Sequence, residues 1–322
     1  MDWIVNSFDA AFESAFSQVT QPLLFALGLM HYWDEAFLGT ETVLLGALEI
    51  TLLACIVVPL ERLRPFETRQ DAAARRTDFA YTVINRLGLL PLLLFAILFP
   101  LESVADGLMH AWGVSRVTLQ TLIPALAQQP LLAFACYLAL FDLLGYWVHR
   151  GQHAFGWWWA LHAVHHSQRA MSVWTESRNH YLDDLLNALI FALAARLIGT
   201  PGTQFIWLVF ASRLIESFSH ANLRFGFGAI GARLVVDPYF HRIHHGVGIG
   251  HEGPARGVNF AVLFPLWDLL FGTARLERVV APTGIRDQSQ GHDYGVGLLA
   301  QQRLGLSRML GRRRPESARF AD

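Results

Sequence analysis

Lysine is missing from this chain of 322 residues; all 25 basic residues are arginine. Charge of either sign is scarce, at 16% of residues against about 25% in an ordinary soluble domain. That scarcity, with 53% hydrophobic residues and a mean hydropathy of +0.33, excludes a disordered chain, which is polar and highly charged. A net charge of −1 provides no electrostatic footprint for nucleic acid. Cysteine is scarce too. Cys55 and Cys136 both sit in apolar runs and form no CxxC pair, which argues against a disulfide framework, an iron–sulfur cluster or a thiolate zinc site. The first sixteen residues hold acids and no base, unlike a secretory signal. The missing lysine itself says nothing about mechanism. What the chain has in excess is histidine, 14 residues, so any metal must be held by imidazole and carboxylate.

A membrane span needs roughly 20 apolar residues. Val43–Leu60 is one, broken by Glu49; Phe79–Leu101 is a second, with Arg86 near its start and Pro91 and Pro100 within it. Leu131–Val148 is a third, interrupted by Asp142. Leu185–Ile198 and Phe205–Ile215, separated by the GTPG of Gly199–Gly202, read as a helical hairpin that enters and leaves on one side. Pro22–Met30 is too short to span and is expected at the interface. Arg62, Arg64, Arg69, Arg75 and Arg76 follow the first span, whereas only Arg116 follows the second. The positive-inside rule then puts the 61–78 loop, and everything from His220 onward, in the cytoplasm. Arg312–Arg314 reads as a solvated or headgroup-facing end.

Nine histidines fall in four places: His149 and His153 in HRGQH; His162, His165 and His166 in HAVHH; His220 in SHAN; and His241, His244 and His245 in HRIHH. Residues three or four apart share a helix face, so each multi-histidine motif aims at least two imidazoles at a common point. The neighbour in each HH pair points about 100° away, which suits a second metal. Nine candidates are too many for one ion of about four ligands, and imidazole suits zinc, copper, iron and nickel. Two metals, redox-active beside lipid tails, imply O₂ chemistry on unactivated C–H bonds. His31, His110, His251 and His292 stand alone and are expected to be solvated.

HRGQH, HAVHHS, SHAN, HRIHH and the later NF…LWDLLFGT, spread over Leu131–Thr273, resemble the fatty acid hydroxylase/sterol desaturase superfamily of membrane di-iron oxygenases. The resemblance implies an all-α fold of membrane helices with a cytosolic metal-bearing cap. It also implies two iron ions, O₂ as co-substrate, a lipid substrate and electrons from a separate ferredoxin, cytochrome or reductase. The nine clustered histidines would be the ligands. Two positions depart from the family pattern. Glu216 stands where some members have histidine, and either ligates metal or hydrogen-bonds a ligand histidine. His180 is followed by Tyr181 where a His-Pro pair is common, and is either a ligand, a donor beside one, or an interfacial polar residue. Asn222 and Asn259 match family positions without a derivable role.

Acids near the motifs are candidates for orienting the ligands, since metal-bound histidine usually donates its other N–H to a carboxylate or carbonyl. Asp142, seven residues before His149 on the same face, is the first; Asp237 and Asp268 follow. Trp157–Trp159 reads as an interfacial belt, and the glycine-rich 247–257 segment as a mobile loop beside the site. The expected organisation is membrane helices over 1–130, a catalytic domain over 131–275 and a cytosolic tail over 276–322, in a bacterial inner membrane. Ether-lipid cleavage or carotenoid hydroxylation would use the same histidines. A metalloprotease would need HExxH, which is lacking. A metal transporter would place its histidines in mid-span, and a non-catalytic metal binder would have lost ligands.

Overall fold

The computed structural model describes residues 2–68, 71–88, 90, 104, 107–113, 117–250, 256–289 and 294–311. Arg69, Pro91, Pro100, Arg116, His251, His292 and Arg312–Arg314 lie outside them, as does most of the expected second span beyond Arg86. The described chain is all-helical, with no strands among these residues; Gly246 and Thr283 form an isolated bridge.

The main helices are α1 (Asp2–Ala15), α2 (Trp33–Leu52), α3 (Ala72–Arg86), α4 (Pro130–Ala154), α5 (Gly156–His166), α6 (Tyr181–Leu197), α7 (Gly202–His220), α8 (Pro238–His244), α9 (Leu266–Phe271) and α10 (Leu298–Met309). After α2 the chain runs through a wide turn at Leu53–Val57 into Val58–Leu63. Pro59 lacks the N–H that would close a regular turn there. A similar wide turn, Phe16–Thr20, precedes Pro22. The Pro22–Met30 segment leaves Leu23, Phe25 and Leu27 exposed.

Two stretches, Met30–Leu63 and Pro130–Ala154, are long and apolar enough to cross a membrane. The first, 34 residues, spans about 50 Å at 1.5 Å per residue, more than the roughly 30 Å hydrocarbon core. The two apolar runs of the expected hairpin form α6 and α7, joined by a short turn in which Gly199 adopts φ +61°. Its two arms pack on α4 through Phe141, Phe191, Leu208 and Phe205. The two charges that interrupt the apolar runs meet each other. Arg86, at the end of α3, lies 2.8 Å from Glu49 of α2 and 2.8 Å from Glu176, all three largely buried. A buried charge persists only when paired.

Local signals fix the ends of the helices that carry the histidines. Asp237 caps α8 by accepting from the Phe240 amide at 3.0 Å, with Pro238 in the first turn. His180 caps α6, its Nδ1 accepting from Leu182 N at 3.1 Å. The C-terminal helix α10 lies against α5 and is pinned by Gln302. That side chain donates to Tyr81 Oη and Asn179 O and accepts from Tyr181 N.

Candidate metal centre

Helical geometry sorts the nine histidines into two groups. His149 and His153 on α4, His162 and His166 on α5 and His244 on α8 form one; His165, His220, His241 and His245 form the other. Within each group the ligand-capable atoms all lie within 4.8 Å of one another, and all nine residues are buried. Each HH pair is divided between the groups, as the 100° rotation between neighbours requires.

Backbone and carboxylate acceptors set the ring orientation. His149 Nδ1 donates to Phe260 O at 2.9 Å, His244 Nδ1 to Val258 O at 2.7 Å and His220 Nδ1 to Glu216 O at 2.7 Å. His162 Nδ1 faces Asp183 Oδ2 at 3.2 Å. A carbonyl or carboxylate can only accept, so in these four rings Nδ1 carries the proton and Nε2 keeps its lone pair. Nε2 of His149 and of His162 is buried with no protein partner. In the four-histidine group His220 Nε2 stands 3.1 Å from His165 Nε2 and 2.9 Å from His241 Nε2. His241 Nε2 is in turn 3.1 Å from His245 Nε2. In the other group His166 Nε2 lies 3.1 Å from Nε2 of both His153 and His244.

Two nitrogens bonded to one metal at 2.0–2.1 Å and at right angles to each other sit about 3.0 Å apart. The spacing therefore fits ligands sharing an ion, and the uncapped lone pairs of His149 and His162 fit the same reading. Burial and neighbouring imidazoles hold His165, His166, His241 and His245 well below the usual histidine range. His244 is pushed down to about 3 for the same first reason. All five are neutral at pH 7, the form a metal needs.

The proposed orienting residues take different places. Asp142 does not touch His149. Its carboxylate accepts from the Leu263 and Phe264 amides at 2.8 and 3.0 Å and from Trp267 Nε1 at 2.9 Å. Seven helical residues separate it from His149 by about 10 Å along the axis, too far for a direct hydrogen bond, and the 263–267 segment fills the gap. Asp268 accepts from the Phe260 and Ala261 amides at 2.8 and 2.7 Å, behind the carbonyl that orients His149. Burial raises its carboxyl above the usual range. Asn259 holds the same loop in a left-handed conformation, φ +56°, and donates to Phe240 O and Arg275 O. The carbonyls on either side of it, of Val258 and Phe260, are those that take His244 and His149.

His180 is not in either group. Its Nδ1 accepts the Leu182 amide and its Nε2 donates to Gln302 O at 2.9 Å, which leaves no nitrogen for a metal. Glu216 is also outside both groups; its backbone carbonyl, not its carboxylate, orients His220. Asn222 ties the 61–67 segment to the end of α7, accepting from Phe66 N and Glu67 N and donating to Glu67 O; its hydrogen bonds go to that segment rather than to a clustered histidine. Asp183 escaped sequence reasoning. Fully buried at the start of α6, it accepts from Gln152 Nε2 at 2.9 Å and Trp158 Nε1 at 2.7 Å besides facing His162. The only signal was an acid pair, Asp183–Asp184, ahead of an apolar run. Trp157 is about half exposed and stacks on Trp158, while Trp159 is buried against His153 and His166. His31 and His110 are exposed.

One cavity of about 570 Å³ joins the groups, reached by His149 and His162 from the first and His165, His220 and His241 from the second. It continues between Phe141, Phe191, Phe205 and Leu208, the apolar wall of α4 and the hairpin.

Buried imidazoles in two adjoining sets on an apolar helical scaffold form a polyhistidine cluster that could hold metal. Residues 134–273 match the fatty acid hydroxylase family. This segment, which contains all nine histidines, is a fatty acid hydroxylase domain of the superfamily that includes the sterol desaturases. The chain is similar to alkylglycerol monooxygenases of Caenorhabditis elegans and Homo sapiens, 30% identical over 138 residues in each case. Those matches cover 42% of this chain and 26% and 29% of the two relatives. A Dictyostelium discoideum protein provisionally named as a methylsterol monooxygenase is 26% identical over 180 residues, 54% of this chain and 61% of that protein. No solved structure matches significantly.

Proposed function

We propose that the chain is an integral membrane di-iron oxygenase that hydroxylates a C–H bond of a lipid, with O₂ and electrons from a separate carrier. The observation that carries this reading is the division of nine buried imidazoles into two sets on one cavity whose walls turn apolar along α4, α6 and α7. The five-histidine and four-histidine groups would each hold one iron; together the irons supply O₂ activation. The protein's own residues do the rest. Asp183 and the carbonyls of Glu216, Val258 and Phe260 hold four rings with their lone pairs inward. The phenylalanine-lined arm takes the hydrocarbon chain and keeps water from the C–H bond. Among the described residues the two groups contain no ionisable side chain other than histidine.

In this reading the Met30–Leu63 and Pro130–Ala154 stretches and the hairpin anchor the protein in a bacterial inner membrane. The histidine groups then face the cytoplasm, where a ferredoxin, cytochrome or reductase delivers electrons. The catalytic unit is 131–275, with 1–130 as anchor and 276–322 as tail. Cleavage of an ether lipid is the second reading, favoured by the alkylglycerol monooxygenases among the relatives; it starts from the same oxidation at a carbon beside oxygen. Iron determination on the purified protein tests the core of the proposal. Two irons per chain, and reduced-state Mössbauer spectra that change on O₂ exposure, are expected. Fewer than two in a fully loaded sample would sink it.

A further inference from the structure

The C-terminal helix α10, beyond the family-matched segment, touches both of the helices that set the orientation of His162. It lies against α5 at Gly305, where a Cβ would press on Val164 of α5 and collide with the His180 ring at the head of α6. Just before α10, Tyr294 clusters with Trp159 and Ala163 of α5, and the Arg308 guanidinium of α10 sits 3.5 Å from the centre of the Tyr294 ring. The bonds to α6 are more specific. Tyr181 opens α6, and an N–H in the first turn of a helix has no acceptor within that helix. Gln302 Oε1 accepts it at 2.8 Å, and Gln302 Nε2 donates to Asn179 O at 2.9 Å and Tyr81 Oη at 3.0 Å. The Gln302 carbonyl takes His180 Nε2 at 2.9 Å, which leaves the Nδ1 lone pair of His180 for the Leu182 amide. One residue of α10 therefore holds Asn179, His180 and Tyr181.

Asp183 stands two residues beyond Tyr181, and its carboxylate faces His162 Nδ1 at 3.2 Å from a different helix. A separation of about 3.6 Å is no longer a hydrogen bond, so a shift of the α6 head by a few tenths of an ångström would release the ring. We propose that Gln302 is a positioning residue for the five-histidine group. By binding the first turn of α6 while its own helix backs α5, it keeps Asp183 on His162 Nδ1. The Nε2 lone pair of His162 then stays turned toward its group. The inference rests on the proposed function only in taking that group as a metal site.

Gln302→Met keeps the side-chain length and removes its bonds to Tyr181, Asn179 and Tyr81. Isotope-edited NMR of the metal-free full chain, labelled at histidine, reads which ring nitrogen carries the proton; the His162 signal is identified by its loss in His162→Gln. It should report Nδ1–H in the unsubstituted protein and lose that signature in Gln302→Met. With Fe²⁺ added anaerobically against a competing chelator, Gln302→Met should weaken by about 10-fold, the lower end for a lost supporting group, the binding step that His166→Ala removes. The other step should not change. Tyr181→Pro deletes the N–H that Gln302 serves, and His180, at φ −78° and ψ 128°, already has the extended backbone that precedes proline. Added to Gln302→Met, it should restore the His162 signal. An unchanged signal in Gln302→Met, or equal weakening of both steps, overturns the proposal, and failure of Tyr181→Pro to restore the signal overturns the role given to Oε1. If circular dichroism shows that Gln302→Met has lost its helices, Gly305→Ala, which pushes the same helix off His180, is read by the same two measurements. An unsubstituted protein that binds no iron counts against the metal reading alone, and the NMR comparison still decides the role of Gln302.

Discussion

Replacing Asp183 by Asn changes one atom and should cost one metal site. Asp183 Oδ1 receives Gln152 and Trp158, and Oδ2 faces His162 Nδ1. The asparagine amide has one acceptor oxygen and one donor NH₂. With its oxygen toward Gln152 and Trp158 it opposes one partner; turned the other way it opposes two. The first orientation wins, and its NH₂ then demands a lone pair at His162 Nδ1. That forces the proton onto Nε2, the nitrogen that would face the metal. Loss of such a supporting group typically costs about 10- to 100-fold in metal affinity, or about 1.4–2.8 kcal/mol. Competition with a chelator should show one of two sites weakened by that factor and the four-histidine site unchanged. Circular dichroism should show the helices intact. Asp183→Ala is less informative, since three stranded donors at about 1–3 kcal/mol each approach the whole stability of a domain, about 5–15 kcal/mol. Unchanged affinity at both sites in Asp183→Asn would refute the tautomer argument.

Neighbouring histidines should fail differently. His165→Ala should weaken the four-histidine site and His166→Ala the five-histidine site, each read as metal stoichiometry; the same site lost in both variants would contradict the division. Gly305→Ala places a Cβ 2.5 Å from His180 Cδ2, and overpacking costs about 1–3 kcal/mol. Alanine's helix propensity alone would stabilise by about 1 kcal/mol, so a lowered unfolding midpoint reports the α10 clasp and a raised one dismisses it. Acid should release metal and destabilise the fold. His244 is pushed down to about 3 from an ordinary value of about 6.5, so between those limits the unfolded chain binds the extra proton. Stability is full above pH 6.5 and falls as pH drops toward 3, by about 1.4 kcal/mol per pH unit for this one group. A flat denaturant midpoint between pH 7 and 5 would show that the imidazole is not held neutral by burial.

Much of the centre was legible because it is written in local periodicity. The i, i+4 pairs His149/His153, His162/His166 and His241/His245 each stay within one group, and the HH pairs split, as a 3.6-residue repeat dictates. Asp142 shows where periodicity stops helping: sharing a face with His149 does not bring it within reach, and a loop from 120 residues later takes its hydrogen bonds. Glu49 and Arg86 read separately as flaws in two apolar runs, and only packing reveals that they neutralise each other. Asp183 and the carbonyls at 216, 258 and 260 could not be read at all. Backbone acceptors carry no side-chain signature, and a lone acid gives no distance to a histidine 21 residues away.

Composition and spacing by themselves determined an apolar helical chain and nine clustered imidazoles, because both follow from single residues and single helix turns. Tertiary structure alone decided which imidazoles meet, which ring nitrogen faces inward, and what lines the cavity's far wall. Those depend on helices distant in sequence closing around one space.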